Sequence, residues 1–162
     1  MTDQKTAEMA LRNQYRLGVG IVLLNQRGEV FVGRRPDLKP DVWQMPQGSI
    51  EKGETPQQAA LRELKEEVGT DNAELLAESR DWLQYDVPSE FVPKRWSGRW
   101  KGQRQKWVVM VFRGADTDIN VAGDDSELDA WRWVPTKDIA GLAAPFKLYL
   151  DVIGEFSTIF RD

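Results

Sequence analysis

Residues 48–69 read GSIEKGETPQQAALRELKEEVG, and the second half of this stretch is a helix with both ends marked. Thr55 can cap it, Pro56 suits its first position, Gln58 completes a capping box, and Gly69 can supply the left-handed stop. Leu61, Leu64 and Val68 recur at i, i+3 and i+7, an apolar stripe for a core. Glu63, Glu66 and Glu67 stand at i, i+3 and i+4, so three carboxylates converge on one face. They repel one another without a cation. On an arbitrary helix the ordinary reading is a solvated acidic face, partly balanced by Arg62 and Lys65. The chemical alternative is a platform for a hard divalent ion such as Mg²⁺ or Mn²⁺, which prefers oxygen ligands.

Outward from this helix, Val19 to Leu24 (VGIVLL) reads as a short buried strand. Val30 to Gly33 is its partner across the turn-forming residues 25–29. Trp107 to Phe112 is a strong β run, and Ala130 to Val134 alternates as a half-buried strand does. A last amphipathic helix is expected from near Pro145, carrying Phe146, Leu150, Ile153 and Phe156. Strands mixed with two helices imply an α/β or α+β sandwich, with helices covering a sheet. No repeat or linker divides the chain, so residues 15–162 are read as one domain behind a polar N-terminal segment, 1–14.

What the composition lacks is as informative. The 162 residues include no histidine and no cysteine, which excludes imidazole bases, thiolate nucleophiles, Ser-His-Asp triads, His/Cys zinc sites and disulfides. An enzyme of this composition works through carboxylates, lysines, hydroxyls or an oxygen-bound metal. The net charge of −4 argues against holding duplex DNA by bulk charge, although a local basic patch could still hold phosphates. No apolar run approaches a membrane span and residues 1–12 lack the apolar core of a signal peptide, so a soluble cytoplasmic protein is expected. Asp116, Asp118, Asn120, Asp124 and Glu127 match the acidic positions of a calcium loop, but Val121 stands where that loop needs glycine. The segment 114–126 is read instead as a surface loop that delivers Glu127.

The spacing over 48–69 also resembles a known pattern. Gly48, five residues, Glu54, seven residues and then Arg62-Glu63-Leu64-Lys65-Glu66-Glu67-Val68-Gly69 is similar to the Nudix box, departing only at Thr70, where an aliphatic is usual. The resemblance implies a Nudix α/β/α sandwich, a mixed β-sheet flanked by helices. It implies Glu63 and Glu67 as principal ligands of Mg²⁺ or Mn²⁺, more than one ion in all, with Glu66 a third ligand or a water-orienting group. The Gly48 carbonyl can also reach a metal, Glu54 and Arg62 brace loop against helix, and Gly53 keeps a turn free of side chain. Glu127 matches a distal glutamate that joins the metal site or acts as base.

Beyond the box, Trp43-Gln44-Met45-Pro46-Gln47-Gly48, Asp81-Trp82-Leu83-Gln84-Tyr85, residues 102–107 (GQRQKW) and residues 127–134 (ELDAWRWV) resemble blocks of two related groups. These are the bacterial RNA pyrophosphohydrolases and the plant-type asymmetrical diadenosine tetraphosphate hydrolases. The resemblance implies a substrate with a nucleoside 5′-polyphosphate end, either 5′-triphosphorylated RNA or a dinucleoside polyphosphate. It assigns phosphate contacts to Lys106, Arg34 and Gln47, places Tyr85 near the nucleotide, and gives Phe146 a stacking role with Lys147 beside it. On spacing alone Lys106 reads equally well as a solvated lysine, Phe146 as a core residue, and Trp43, Trp107 and Trp133 as packing residues. A non-catalytic nucleotide-binding or interaction module is the competing class, against which the intact Glu63, Glu66 and Glu67 argue.

Overall fold

The computed structural model describes residues 14–36, 42–89, 92–123, 126–142 and 146–157, so the polar N-terminal segment lies outside the described residues apart from Gln14. In chain order the elements are β1 Tyr15–Leu24, β2 Val30–Arg34, β3 Trp43–Gln44, β4 Gln47–Ser49, α1 Pro56–Val68, β5 Ala73–Glu78, β6 Leu83–Asp86, β7 Gly102–Phe112, β8 Ala130–Val134 and α2 Phe146–Glu155. The strands form one sheet of order β3-β2-β1-β7-β5, with β4 on β1, β6 on β7 and β8 on β2. Its centre is the parallel pair β1 and β7, in register from Tyr15 opposite Gly102 to Leu24 opposite Val111. The other pairings described are antiparallel, so the sheet is mixed.

A parallel pair at the centre of a sheet is covered on both faces, which explains the nearly unbroken apolar runs in β1 and β7. Val19, Ile21, Leu23, Phe31, Val108, Met110 and Phe112 pack with Ala59, Ala60, Leu64 and Val68 of α1. On the opposite face Val22, Leu24, Val30, Val32, Trp107 and Val109 pack with Tyr149 and Val152 of α2 and with Phe156 just beyond it. The alternation of side chains along each strand thus builds two cores, and the expected α/β/α sandwich is present.

Both central strands start earlier than their apolar runs suggest. In β1, Gly18 and Gly20 interrupt the pattern for a packing reason. A Cβ on Gly20 would stand 2.3 Å from Trp107 Cε2, so its absence lets the indole lie flat against the strand. In β7, Gln103 and Gln105 are polar yet buried, tied to neighbouring side chains rather than to water.

The expected caps of α1 form. Thr55 Oγ1 accepts from the Gln58 amide at 3.2 Å, Gln58 Oε1 accepts from the Thr55 amide at 2.9 Å, and Gly69 takes φ 84°. The stripe needs correction, however, because Leu61 is 39% exposed while Ala59, Ala60, Leu64 and Val68 are buried. The helix is rolled so that Glu63 and Glu67 also face inward, which leaves Leu61 at the rim. In α2 the inward residues are Tyr149 and Val152, followed by Phe156 just past the helix end, with Ile153 partly buried; the Leu150 side chain, the expected Pro145 start and the Asp124 position lie outside the described residues. The Tyr149 hydroxyl accepts the Met45 amide at 2.8 Å and so fixes α2 to the segment entering β4.

Because Trp107 fills the space above Gly20, Gly20→Ala is expected to overpack the core and cost about 2 kcal/mol. Equilibrium urea denaturation checks this, the midpoint falling with an unchanged slope.

Candidate active site

Arg62 ties the loop before α1 to the helix and to β4. Arg62 donates from Nε to Glu54 Oε2 at 2.8 Å and from Nη2 to Glu54 Oε1 at 2.9 Å, a two-pronged charge-assisted pair. Its Nη2 also donates to the Ser49 carbonyl at 2.8 Å, at the end of β4. Nη1 reaches Glu63 Oε1 at 2.9 Å and Glu66 Oε1 at 3.3 Å. Glu54 in turn accepts the Glu51 amide at 2.8 Å, closing the loop on itself. Hydrogen bonds from Arg62 lower the Glu54 pKa, against a smaller opposing effect of burial. The same partners, Glu54 first, raise that of the guanidinium.

Loop, helix and β4 enclose a cleft of about 240 Å³ lined by Arg16, Gln47, Gly48, Ser49, Glu51, Arg62, Glu63, Glu66, Glu67 and Glu127. One wall is acidic. Glu63 and Glu67 are 7% and 6% exposed, a burial that isolated carboxylates do not tolerate without compensation. Burial foremost, and then the charge of Glu66, push the Glu63 pKa up, while Arg62 and Arg16 pull it back. Glu67 Oε2 accepts the Glu127 amide at 3.2 Å, and Ser126 Oγ donates to the Glu67 carbonyl at 3.2 Å. That docking brings the loop after the 3₁₀ turn Asp116–Asp118 to the cleft, and Glu127 pairs there with buried Arg35 at 3.2 Å.

The donor set fits a hard divalent ion in chemistry and in space. All its acidic groups are carboxylates, and a Cβ on Gly48 would stand 1.9 Å from Glu63 Cδ, so this position must be glycine for the carboxylate to lie where it does. Among the described residues no three acidic side chains close on a common point as a finished ligand set. Arg62 Nη1 instead lies between Glu63 and Glu66, and a cation entering there would compete with it for their oxygens.

The remaining sequence-derived candidates fall in different places. Gln47 lines the cleft and its Oε1 accepts from Gln105 Nε2 at 2.9 Å. Tyr85 is half-buried, its hydroxyl accepting from Gln103 at 3.1 Å, and burial pushes its pKa up. Arg34 is not among the lining residues; it makes a bidentate pair with Asp129 at 2.7 and 3.0 Å. Nor is Lys106, whose Nζ donates to the Ser79 and Arg80 carbonyls at 3.0 and 2.9 Å. Either would have to leave these partners to reach a ligand in the cleft. The backbones of Phe146 and Lys147 open α2, and their side chains lie outside the described residues. Gly53, at φ 86°, turns the loop, and Gly69 ends α1.

Sequence reasoning passed over Arg16 and Arg35. Arg16 lines the cleft, donates to Gln103 Oε1 at 3.3 Å and lies over the Trp96 ring. A cation at the head of a strand that is otherwise covered on both faces was the available signal. Arg35 follows β2 and is almost buried; only its carboxylate partner makes that position intelligible, and the partner is 92 residues further along the chain.

An α/β/α sandwich with helix-borne carboxylates lining a cleft under a glycine-bearing loop defines a recognisable class. The model of the NUDIX domain matches residues 14–151, and the chain belongs to the Nudix family, whose hydrolases generally use divalent cations. It is similar to an RNA pyrophosphohydrolase of Roseobacter denitrificans, 51% identical over 155 residues that cover 93% of this chain and 97% of the relative. A second, from Rhodospirillum rubrum, is 52% identical over 145 residues, covering 88% and 87%. Among solved structures the E. coli dihydroneopterin triphosphate pyrophosphohydrolase shares the fold with a TM-score of 0.66 at 23% identity, over 87% of this chain and 96% of that one.

Gly48→Ala tests the cleft geometry, since the added methyl must displace Glu63. A fall in turnover of about 10²-fold or more, in a variant that melts near the parent temperature, is the expected outcome of steady-state assays.

Proposed function

We propose that the chain is an RNA pyrophosphohydrolase that removes pyrophosphate from 5′-triphosphorylated RNA and leaves a 5′-monophosphate. The observation that carries this reading is the cleft itself, an acidic wall of Glu63, Glu66, Glu67 and Glu127 next to the donors Arg16 and Gln47. Polyphosphate needs both, cations to offset its charge and hydrogen-bond donors to orient its oxygens. The two curated relatives described above, matched over most of their length, support the choice of substrate.

In this reading Glu63 and Glu67 would hold Mg²⁺ or Mn²⁺, with Glu66, Glu127 and the Gly48 carbonyl as further oxygen donors. Bound cations neutralise the polyphosphate and lower the pKa of the attacking water, so no histidine is needed. The chain's own part is positional. Arg62 keeps Glu63 and Glu66 turned to the cleft, Gln47 and Arg16 donate to phosphate oxygens, and Glu127 is placed by the Glu67 carboxylate to assist with metal or proton. Water attacks phosphorus in line with the leaving pyrophosphate, the anhydride P–O bond breaks, and the water's proton passes to a carboxylate. Tyr85, Phe146 and Lys147 serve the nucleoside end, with Arg34 and Lys106 as further phosphate contacts on leaving their present partners. Diadenosine tetraphosphate, split to ATP and AMP, is a second substrate of the same chemistry. Residues 15–162 act as one catalytic domain without duplex DNA or a membrane; no helix among the described residues is long and apolar enough to cross one, and a cytoplasmic location is consistent with this.

The purified protein with Mg²⁺ is expected to release pyrophosphate from triphosphorylated RNA and to stop on addition of EDTA. Glu67→Gln should lose about 10³-fold in kcat while folding normally. If the parent shows no metal-dependent turnover of that RNA or of diadenosine tetraphosphate, the chain is a binding module instead.

A further inference from the structure

The face of β7 that carries Trp107 holds a chain of buried amides with a fixed direction. Trp107 and Gln105 are both fully buried. The indole N–H can only donate, and Gln105 Oε1 accepts it at 3.1 Å. Gln105 Nε2 must therefore be the end that faces its other neighbours. One of its hydrogens goes to Gln47 Oε1 at 2.9 Å and the other to Gln103 Oε1 at 3.2 Å. Gln103 Oε1 also accepts from Arg16 at 3.3 Å, so Gln103 Nε2 is left to donate to the Tyr85 hydroxyl at 3.1 Å. Each amide has its orientation set by the one before it, and the first is set by a side chain that cannot be reversed.

The chain ends in the cleft. With Gln47 Oε1 committed to Gln105, the Gln47 group left over is Nε2, which makes one long contact of 3.4 Å to Gln44 Oε1 and has a second hydrogen to give. Were the Gln105 amide reversed, its oxygen would face Gln47, and Gln47 would turn its own oxygen to the cleft. A carbonyl oxygen there would repel a phosphate; an N–H binds it.

We propose that Trp107 is a positioning residue for phosphate binding, fixing through Gln105 the orientation in which Gln47 presents a donor rather than an acceptor to the cleft. The proposal rests on the cleft being a polyphosphate site. It adds to the Nudix box a specificity device on β7, which makes the part of the cleft lined by Gln47 selective for anions by hydrogen-bond direction as well as by the charge of Arg16.

Trp107→Phe keeps a ring in the core and removes only the N–H and part of the indole. The expected result is a KM for triphosphorylated RNA raised about three- to tenfold with kcat within twofold of the parent. The Trp107→Phe/Gln47→Leu double variant should then be no worse than Gln47→Leu alone, because both act through one group. If Trp107→Phe is too unstable to assay, Gln105→Leu takes its place in the same comparison. The dissociation constant of inorganic tripolyphosphate in Mg²⁺ buffer, measured by calorimetry, is expected to follow KM and does not depend on turnover. An unchanged KM and tripolyphosphate affinity in a variant with a merely lower Tm, additive effects in the double variant, or no tripolyphosphate binding by the parent would each overturn the proposal. Tripolyphosphate binding without turnover of either substrate would count against the proposed function alone, leaving the affinities of the variants to decide the role of Trp107.

Discussion

The arrangement of the cleft depends on Arg62, which reaches the loop, the end of β4 and the acidic face of α1 at once. A guanidinium is planar, permanently charged and offers five donors, and here they are spread over a loop carboxylate, a strand-end carbonyl and two helix carboxylates. The Glu54 pair gives the loop its shape, and the Ser49 contact ties that loop to β4. The contacts to Glu63 and Glu66 offset a repulsion that would otherwise splay the two acids. Lysine, a point charge on a flexible stem, could satisfy one or two of these groups and would leave the others buried without a counter-charge.

Such a hub is useful only if strand and helix hold still relative to each other, which the sheet ensures. β4 pairs with β1, from Gly18 opposite Ser49 to Gly20 opposite Gln47, and β1 pairs with β7 along its whole length. α1 packs on the same two long strands through Ala59, Ala60, Leu64 and Val68. Glu63 and Gly48 therefore belong to elements anchored on a common support. That is why a single missing Cβ can decide where a carboxylate sits. The turn of α1 that exposes Leu61 follows from the same requirement, since the arc that could have buried leucine is given to Glu63 and Glu67.

Most of this framework was legible in the sequence because local rules and tertiary need agree. The capping box, the glycine stop and the paired apolar runs each correspond to an observed element. What was not legible depended on partners distant in sequence. β5, with Leu75 and Leu76 exposed, has no alternation to announce it and is a strand because β7 offers it an edge. β3 and β4 span two and three residues and are defined by their neighbours. Gln103 and Gln105 conceal the first half of β7, because a polar residue inside a strand reads as exposed until its hydrogen-bond partners are known. In the cleft Glu63, Glu66 and Glu67 could be read from their spacing, and Arg62 and Glu127 from the resemblance, whereas Arg16 could not. Arg16 and Arg35 carry no motif, and Arg34 and Lys106, which the resemblance favoured, are paired elsewhere.

The absence of histidine gains its meaning from this division of the cleft. A histidine can serve as acid, base, metal ligand or anion donor according to pH, and a site built around one shares these duties through a single titrating group. Here those duties are divided among different side chains. Carboxylates accept, the guanidiniums of Arg16 and Arg62 donate, and the Gln47 amide, which could do either, has its oxygen already taken by Gln105. A chain with a net charge of −4 can therefore receive a polyanion without relying on global attraction, because the sign presented to the ligand is decided locally. The acidic wall needs a cation before it can tolerate phosphate; the donor wall needs none. A cation among the carboxylates would thus prepare that wall for substrate, and its loss would leave a polyphosphate facing unscreened acids.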